Sequence, residues 1–397
     1  MPIANFPSAW MNDEHRALQD SVQRFLRERW VPRAAEWRAA GQVGADAWRE
    51  AGAQGLLCAA MPEVYGGGGG DFGHEAVIIV EIARANLNGF GGGLHSGIVA
   101  PYLLEYGSEA QKARWLPKMA TGEFISAIAM TEPGTGSDLQ AIRTTARLDG
   151  NHYVLNGAKT FITNGGSANL IIVACKTVAQ GASSVGEGSG TGAKGARGMS
   201  LLVVETDDAP GFRRGRKLDK IGLKAQDTSE LFFDDVRVPV ANLLGGIEGQ
   251  GFYQLMNQLP QERLIVALGG IGAMERALEE TLAYVKQRTA FGKPIWEFQN
   301  TRFKLAEVQA TVLAARAMVD AAMVAHLRGE LGVDRAALLK YWVTEQQCKV
   351  IDECLQLFGG YGYMSEYPIA ELYTDARVQR IYGGTNEIMK ELAARTM

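Results

Sequence analysis

A single carboxylate interrupts an apolar helix face in the second half of the chain. Leu255, Leu259, Glu262, Val266, Gly269 and Ala273 recur at helical spacing. Leu264, Ile265, Leu268 and Ile271 make the neighbouring faces apolar too, which is the pattern of a helix buried nearly all round. A carboxylate placed there loses its water, and burial raises its pKa. That is how a general base working near neutral pH is made. The alternative is structural, with Glu262 neutralised by Arg263 or Arg276. Pro260, two residues earlier, removes one helix N–H and frees the carbonyl of Met256. It marks either a kink around a ligand or an irregular packing joint.

Four glycine-bearing loops could also carry chemistry. Met130-Thr131-Glu132-Pro133-Gly134-Thr135-Gly136-Ser137-Asp138 offers free backbone N–H groups and hydroxyls in one place, which suits a polar or anionic ligand. It is equally a plain turn with Ser137-Asp138 as a helix cap. Ile381-Tyr382-Gly383-Gly384-Thr385-Asn386-Glu387-Ile388 is a glycine turn opening a helix, with Thr385 or Asn386 as cap, and helix openings bind anions. Gln356-Leu357-Phe358-Gly359-Gly360 and Arg288-Thr289-Ala290-Phe291-Gly292 are further places where backbone can approach a ligand closely. Gly190-Thr191-Gly192-Ala193-Lys194-Gly195 matches GxGxxG literally. It follows Gly/Ser coil and precedes a strand-like run, the wrong context for a dinucleotide fingerprint. No Walker sequence, GxSxG elbow or HExxH motif occurs.

Three blocks of sequence position these residues. The first, 1–125, is helical: Leu18, Val22, Phe25 and Leu26 fall on one face, with Arg24, Arg27 and Arg29 on the other. Pro32 predicts a kink. Gly66 to Gly70 cannot hold a helix and must be a loop. Helical pattern returns near 75–82 and at 95–106. The second block, 126–240, carries short β-rich runs at 124–130, 153–155, 170–175, 201–205 and 230–236. Turn formers such as Asn156-Gly157 and Asn164-Gly165-Gly166 separate them. This predicts an antiparallel sheet or barrel, with a flexible Gly/Ser-rich excursion at 179–198. The third block, 241–397, predicts long helices at 251–287, 299–329 and 334–358, packed as a bundle. The fold class is therefore α+β, mostly α: an N-terminal helical domain, a central antiparallel β domain and a C-terminal four-helix bundle.

Composition narrows the function. The 397 residues include 40 basic and 44 acidic ones, a net charge of −4, and the pI is about 5.9. That balance argues against nucleic-acid binding and a polybasic membrane anchor. A mean hydropathy of −0.07 is ordinary for a globular chain. No unbroken apolar run reaches the ~18–20 residues of a transmembrane helix, and the first ten residues lack signal-peptide character. A cytoplasmic location, or an organelle after processing, is expected. Cys58, Cys175, Cys348 and Cys354 are far apart, without a CxxC pair, so neither a disulfide framework nor a metal site is expected.

Taken together, Met130 to Asp138, Phe161-Ile162-Thr163-Asn164, Arg288 to Lys293, Gln356 to Gly360 and Gly383-Gly384-Thr385-Asn386-Glu387 resemble the acyl-CoA dehydrogenase family across essentially the whole chain. The resemblance implies an FAD enzyme that oxidises acyl-CoA thioesters to trans-2-enoyl-CoA. It also implies a homotetramer (a dimer of dimers), electron transfer flavoprotein as acceptor, and a bacterial cytoplasmic or mitochondrial matrix location. By position, Ile128 to Ser137 should run along the flavin, Met130 and Gly136 included. Thr131 should bond its pyrimidine edge and Ser137 should touch substrate. Phe161, Ile162 and Thr163 should lie against the other side of the isoalloxazine. Arg288, Phe291, Phe298, Gln299, Gln356, Leu357, Phe358, Gly359 and Gly360 should hold pyrophosphate and adenosine, partly across a subunit interface. Thr385, Asn386 and Glu387 should complete that site, and Arg263 matches a position that meets CoA.

One departure is informative. Many members carry the catalytic Glu just before the final Gly-Thr, where this chain has Gly383. Long-chain and isovaleryl-CoA members place it in a Glu-Arg pair on the bundle helix, the position of Glu262-Arg263. The resemblance is greatest to the long-chain type. It implies that Glu262 removes the α-proton while flavin N5 takes the β-hydride. The N–H of Gly383, with Gly384 beside it, would meet the thioester carbonyl. Gly89, Gly91, Gly92, Gly93 and Gly97 lead to the expectation of a roomy pocket for a long or branched tail. An isovaleryl or other branched short-chain enzyme, a flavin oxidase or monooxygenase, and a non-catalytic scaffold are the competing readings.

Overall fold

The structure is a computed structural model that describes residues 7–178 and 198–397. The excursion 179–198, apart from its last residue, and the Gly190 to Gly195 motif within it lie outside the described residues.

The chain opens with helices α1 (Asp13–Phe25), α2 (Ala34–Ala40), α3 (Ala45–Ala53), α4 (Phe72–Arg84), α5 (Gly92–Leu94), α6 (Ala100–Tyr106) and α7 (Glu109–Ala120). At the expected kink, a π turn (Leu26–Trp30) and a 3-10 turn holding Pro32 carry the chain from α1 to α2. α1 and α4 begin alike. Asn12 and Asp71 cap them, while Nδ1 of His15 and of His74 each accept the cap residue's own N–H. His15 Nε2 then lies 3.0 Å from Asp71 Oδ1 and ties the two helix starts together. The polyglycine run is a loop that folds back on 58–61. Gly69 N donates to Met61 O at 2.8 Å and Gly70 N to Ala59 O at 3.0 Å. A methyl placed on Gly67 would stand 2.2 Å from Met61 O, so this approach requires glycine.

The central sheet has seven strands: β1 (Ser126–Ala129), β2 (Thr145–Asp149), β3 (His152–Thr163), β4 (Leu170–Val178), β5 (Met199–Glu205), β6 (Phe212–Lys217) and β7 (Thr228–Pro239). Their order is β1-β4-β2-β3-β7-β6, with β5 also on β4. The expected antiparallel pairing holds for β2–β3, β3–β7, β4–β5 and β6–β7. The sheet is nonetheless mixed, because β4 pairs in parallel with both β1 and β2. The β2–β3 hairpin separates β4 from β1 in sequence and β3 separates it from β2, so β4 can return in the same direction as both. Alternate residues of β4 and β5 feed two cores. Leu170, Ile172, Leu201 and Val203 face α6, α7 and the start of the bundle, whereas Ile171, Val173, Leu202 and Val204 face Tyr153, Leu155 and Leu231. Burial on both sides explains why these strands read as continuous apolar runs.

The bundle comprises α8 (Gly251–Gln287), α9 (Gln299–Leu327), α10 (Val333–Phe358), α11 (Pro368–Ala376) and α12 (Asn386–Ala394). A two-strand hairpin, β8 (Thr289–Ala290) and β9 (Lys293–Pro294), lies between α8 and α9. Leu264, Leu268, Ile271, Leu305, Val312, Val319, Leu339, Val343 and Ile351 share one core, joined by Val77 and Val80 of α4. By length and composition α9 could cross a membrane, with a window of hydropathy 1.4, although Arg316 and Asp320 break its apolar run. Its buried residues Leu305, Val308, Val312, Ala315 and Val319 alternate at three- and four-residue steps, the seam of a bundle helix. Arg316 pairs with Glu275 and Asp320 accepts from Trp10, so both charges serve packing within the protein.

Candidate active site

Glu262 sits in the middle of α8, which continues through Pro260 without a break. The residue is 5% exposed. Its Oε1 accepts a hydrogen bond from the Tyr102 hydroxyl at 2.8 Å. The structural alternative is not what the side chains do. Arg276 pairs with Glu280 at 2.7 Å. Arg263 is buried, and its Nε and one terminal nitrogen have no partner among the described residues. Burial pushes the Glu262 carboxyl up to about 7, against the Tyr102 hydrogen bond and the positive charge of Arg263, both of which favour the carboxylate. It is thus poised to exchange a proton near neutrality.

Pro101 organises the joint between α6 and α8. Pro101 has no N–H to offer the carbonyl four residues back, that of Gly97. Gln261 Nε2 donates to that oxygen at 2.7 Å, and His326 from α9 lies 3.0 Å from Gln261 Oε1. The residues following Pro101 and Gln261, namely Tyr102 and Glu262, make the bond described above. Sequence reasoning did not single out Tyr102 or Gln261 as partners of the base, because the contacts span some 160 residues and leave no local pattern.

The Gly383–Gly384 turn faces the same stretch of α8. Both glycines have left-handed backbones, φ +64° and +88°, which favour glycine. A methyl on Gly383 would stand 3.5 Å from Val266 Cγ2, one helical turn from Glu262. Below the turn, Lys340 is fully buried and donates to Gly384 O at 2.7 Å and Asn386 Oδ1 at 2.9 Å. Burial and nearby Arg263 lower its pKa to about 8. The Asn386 amide donates to Thr344 and Glu345, so its side chain is committed to α10 rather than turned outward. Thr385 caps α12 by accepting from Ile388 N, and Glu387 is exposed.

The 130–138 loop is pinned from beneath by a buried ion pair. Glu132 accepts from Lys159 Nζ at 2.9 Å and from the N–H groups of Arg143 and Thr144. Lys159 also donates to Met130 O, and Thr160 N to Thr131 O. Gly134 and Gly136 border open space and Ser137 is exposed. Asp138 makes no side-chain cap bond, so the cap reading finds no support. Beside this loop, the β3–β7 register shifts between Lys159 and Ile162. Phe161 stands out there at φ +59° and 66% exposed, with Thr163 half-buried. The side chains of Ile128 and Ile162 point into cores, so only their backbones could meet a cofactor.

A groove of about 800 Å³ gathers Arg288, Phe291, Phe298, Gln356, Leu357, Phe358, Gly359 and Gly360. Gln299, the first residue of α9, adjoins it. Phe358 stacks on Tyr284 at 4.2 Å. The Arg288 guanidinium lies over Tyr361 and forms no ion pair among the described residues. Gly359 and Gly360 border open space.

The glycine-lined pocket needs correction. Methyls on Gly89, Gly91, Gly92 and Gly97 would fall 2.3, 2.1, 2.3 and 2.7 Å from Ala225, Asn164, Phe90 and Ile265. These glycines admit close packing rather than leave room. Only Gly93 stands off its neighbours, by 3.4 Å from Ile79.

Three family models account for nearly all of the chain: acyl-CoA dehydrogenase N-terminal domain at residues 12–123, middle domain at 127–236 and C-terminal domain at 249–397. The chain belongs to the acyl-CoA dehydrogenase family. It is 49% identical to the mitochondrial long-chain specific acyl-CoA dehydrogenase of Sus scrofa, over 97% of this chain and 86% of that one. It is 35% identical to the mitochondrial isovaleryl-CoA dehydrogenase of Pongo abelii, over 97% and 89%. The crystal structure of an acyl-CoA dehydrogenase from Geobacillus kaustophilus superposes with a TM-score of 0.92 at 47% identity, over 98% and 99%. A glutaryl-CoA dehydrogenase from Mycobacterium smegmatis, solved in complex with FADH2, does so at 0.88 and 27%, over 97% and 95%. An acyl-CoA dehydrogenase of this family is an FAD-dependent oxidoreductase of fatty-acid metabolism, and its relatives include both mitochondrial and bacterial proteins.

Proposed function

We propose that this acyl-CoA dehydrogenase converts long-chain or branched acyl-CoA thioesters to trans-2-enoyl-CoA, with Glu262 as the α-proton base. The observation that carries the reading is Glu262 itself: buried, without a counter-ion bonded to it, and one helical turn from a residue facing the Gly383 turn. The residues present fit FAD. Gly134, Gly136, Gly359 and Gly360 each leave space that a Cβ would enter, Arg288 lines the groove with no ion pair among the described residues, and Phe161 presents its ring at the bulge. Arg288 would hold pyrophosphate, and Phe291, Phe298, Gln299 and residues 356–360 the adenosine. Met130, Thr131, Ser137 and Thr163 would line the flavin ring.

When bound, FAD supplies the acceptor for the β-hydrogen and its electron pair. Glu262 takes the α-proton, and its burial keeps water from competing. The backbone N–H of Gly383 would meet the thioester oxygen, where a fixed donor stabilises developing enolate charge. Lys340 fixes that turn by holding the next carbonyl.

The long-chain preference rests on the 49% relative. A branched short-chain preference is the nearest alternative, supported by the isovaleryl relative. Electron transfer flavoprotein is the proposed acceptor. A homotetramer is proposed because Phe291, in the hairpin before α9, is 96% exposed and Phe303, on α9, is 58% exposed, apolar area that association would cover. The decisive experiment is anaerobic bleaching of the bound flavin by butyryl-, octanoyl-, palmitoyl-, isovaleryl- and citronellyl-CoA. Fastest reduction by palmitoyl- or citronellyl-CoA is expected, and a sharp butyryl optimum would refute the long-tail reading. Oxygen consumption during turnover would instead indicate an oxidase.

A further inference from the structure

We propose that Tyr102 is a positioning residue for the base, holding the Glu262 carboxyl group through its hydroxyl while the Gln261–Gly97 bond keeps α6 and α8 in register. The inference rests on Glu262 being the base.

The hydroxyl is the one hydrogen-bond donor to this carboxyl group among the described residues, at 2.8 Å, and Oε2 carries no hydrogen bond there. One oxygen is therefore held and the other is free to accept a proton. Tyr102 is fully buried, so its hydroxyl cannot turn to water. The joint beneath is unusually determinate. Pro101 orphans the Gly97 carbonyl, Gln261 takes it, and His326 holds the Gln261 amide from the other side. Tyr102 and Glu262 each follow a member of this joint by one residue, so their meeting is set by backbone rather than by side-chain chance.

The donated hydrogen bond favours the ionised carboxyl. Few other groups compete. On α8 there is Arg263, and on α6 Tyr106 lies behind Tyr102. From α10 comes Lys340, bonded to Gly384 and Asn386. From α9 comes His326, bonded to Gln261. In the π turn before α6, His95 is committed to Met119 and Ser126. On α4, Glu75 is turned to the backbone of Ala60. Beside the Gly383 turn stand Tyr382 and the exposed Glu387.

The test is Tyr102→Phe, which removes one oxygen and keeps the ring. Two readouts are taken: the pH profile of anaerobic flavin reduction by octanoyl-CoA, and an infrared titration of the Glu262 carboxyl with Glu262→Gln as blank. Both should move up by about one pH unit, given the worth of a hydrogen bond to a charged group. The reduction rate at pH 7 should fall about five-fold and recover at alkaline pH. Replacing tyrosines biosynthetically with 3-fluorotyrosine, a stronger donor, should move the titration the other way. That measurement stands if Tyr102→Phe does not accumulate. An unshifted titration and profile in folded variant protein overturn the role of Tyr102. Full activity in Glu262→Gln would instead remove the base assignment, while the infrared titration would still report the Tyr102 bond.

Discussion

Gly383 and Val266 lie side by side: a methyl on the glycine would stand 3.5 Å from Val266 Cγ2, one turn along α8 from Glu262. On the proposed assignment, the turn at Gly383 and the base on α8 thus lie about one helical turn apart. Glu262→Gln should retain yellow, FAD-loaded protein and lose about 10²–10⁴-fold in flavin reduction. Adding Gly383→Glu to it should restore part of that rate. The cost is a non-glycine residue at φ +64°, about 1–2 kcal/mol, read as a lower Tm. No rescue in a folded double variant would count against the shared geometry.

The pH dependence follows from the raised Glu262 pKa. The base acts deprotonated, so flavin reduction at subsaturating substrate should rise through about pH 7 and level off above it. A profile flat from pH 5.5 to 8.5 would contradict this.

Glu75 gives a stability counterpart. Its burial raises the carboxyl from 4.5 to about 7. Between those values the folded state binds the proton more tightly than the unfolded chain, so raising the pH through this window lowers stability, fully so above 7. Glu75→Gln should abolish that part of the loss, on the order of a few kcal/mol. The Tm difference between variant and wild type should therefore widen from pH 5 to pH 8. A constant difference would show that Glu75 does not titrate in this range.

Lys340→Met removes the cation that holds Gly384 O and Asn386 Oδ1. Asn386 Oδ1 keeps the Thr344 hydroxyl, but Gly384 O loses its donor, which costs about 1–3 kcal/mol. Because the Gly383 turn loses its hold, the flavin reduction rate should fall more than flavin occupancy. Stopped-flow reduction alongside the absorbance ratio of bound flavin separates the two, and equal losses would point to a general structural role.

Lys159→Met should act on cofactor binding instead. It leaves Glu132 buried and unpaired beneath the 130–138 loop, typically a loss of about 3–5 kcal/mol. Purified variant should be folded by circular dichroism and pale or colourless. A fully yellow preparation would argue that the ion pair does not shape the flavin loop.

The parts of the fold legible in sequence were those carried by periodicity. The long helices begin and end within two residues of their expected positions, because apolar stripes and glycine stops act locally. β3 was read as 153–155 but spans His152–Thr163. Asn156-Gly157 resembles a turn, yet Gly157 sits in a bulge at φ +152° where the register with β7 shifts. β6, Phe-Arg-Arg-Gly-Arg-Lys, was missed because an edge strand need not bury a face. Glu262 was legible as a charge breaking an apolar stripe. Tyr102, Lys340 and the Glu132–Lys159 pair were not, since each acts on a loop or helix distant in sequence. The glycines at 89–97 were read as vacancies because sequence shows a missing side chain but not the neighbour that fills its place.

α8 runs unbroken from Gly251 to Gln287 and hands directly to Arg288. The carboxylate proposed as the base and the guanidinium proposed to hold pyrophosphate thus ride on one rod, about 39 Å apart along its axis. Deleting a single residue between them would swing one about 100° around the other. An insertion or deletion within this span would therefore uncouple the two groups, whereas a change in side-chain bulk would leave their phase intact.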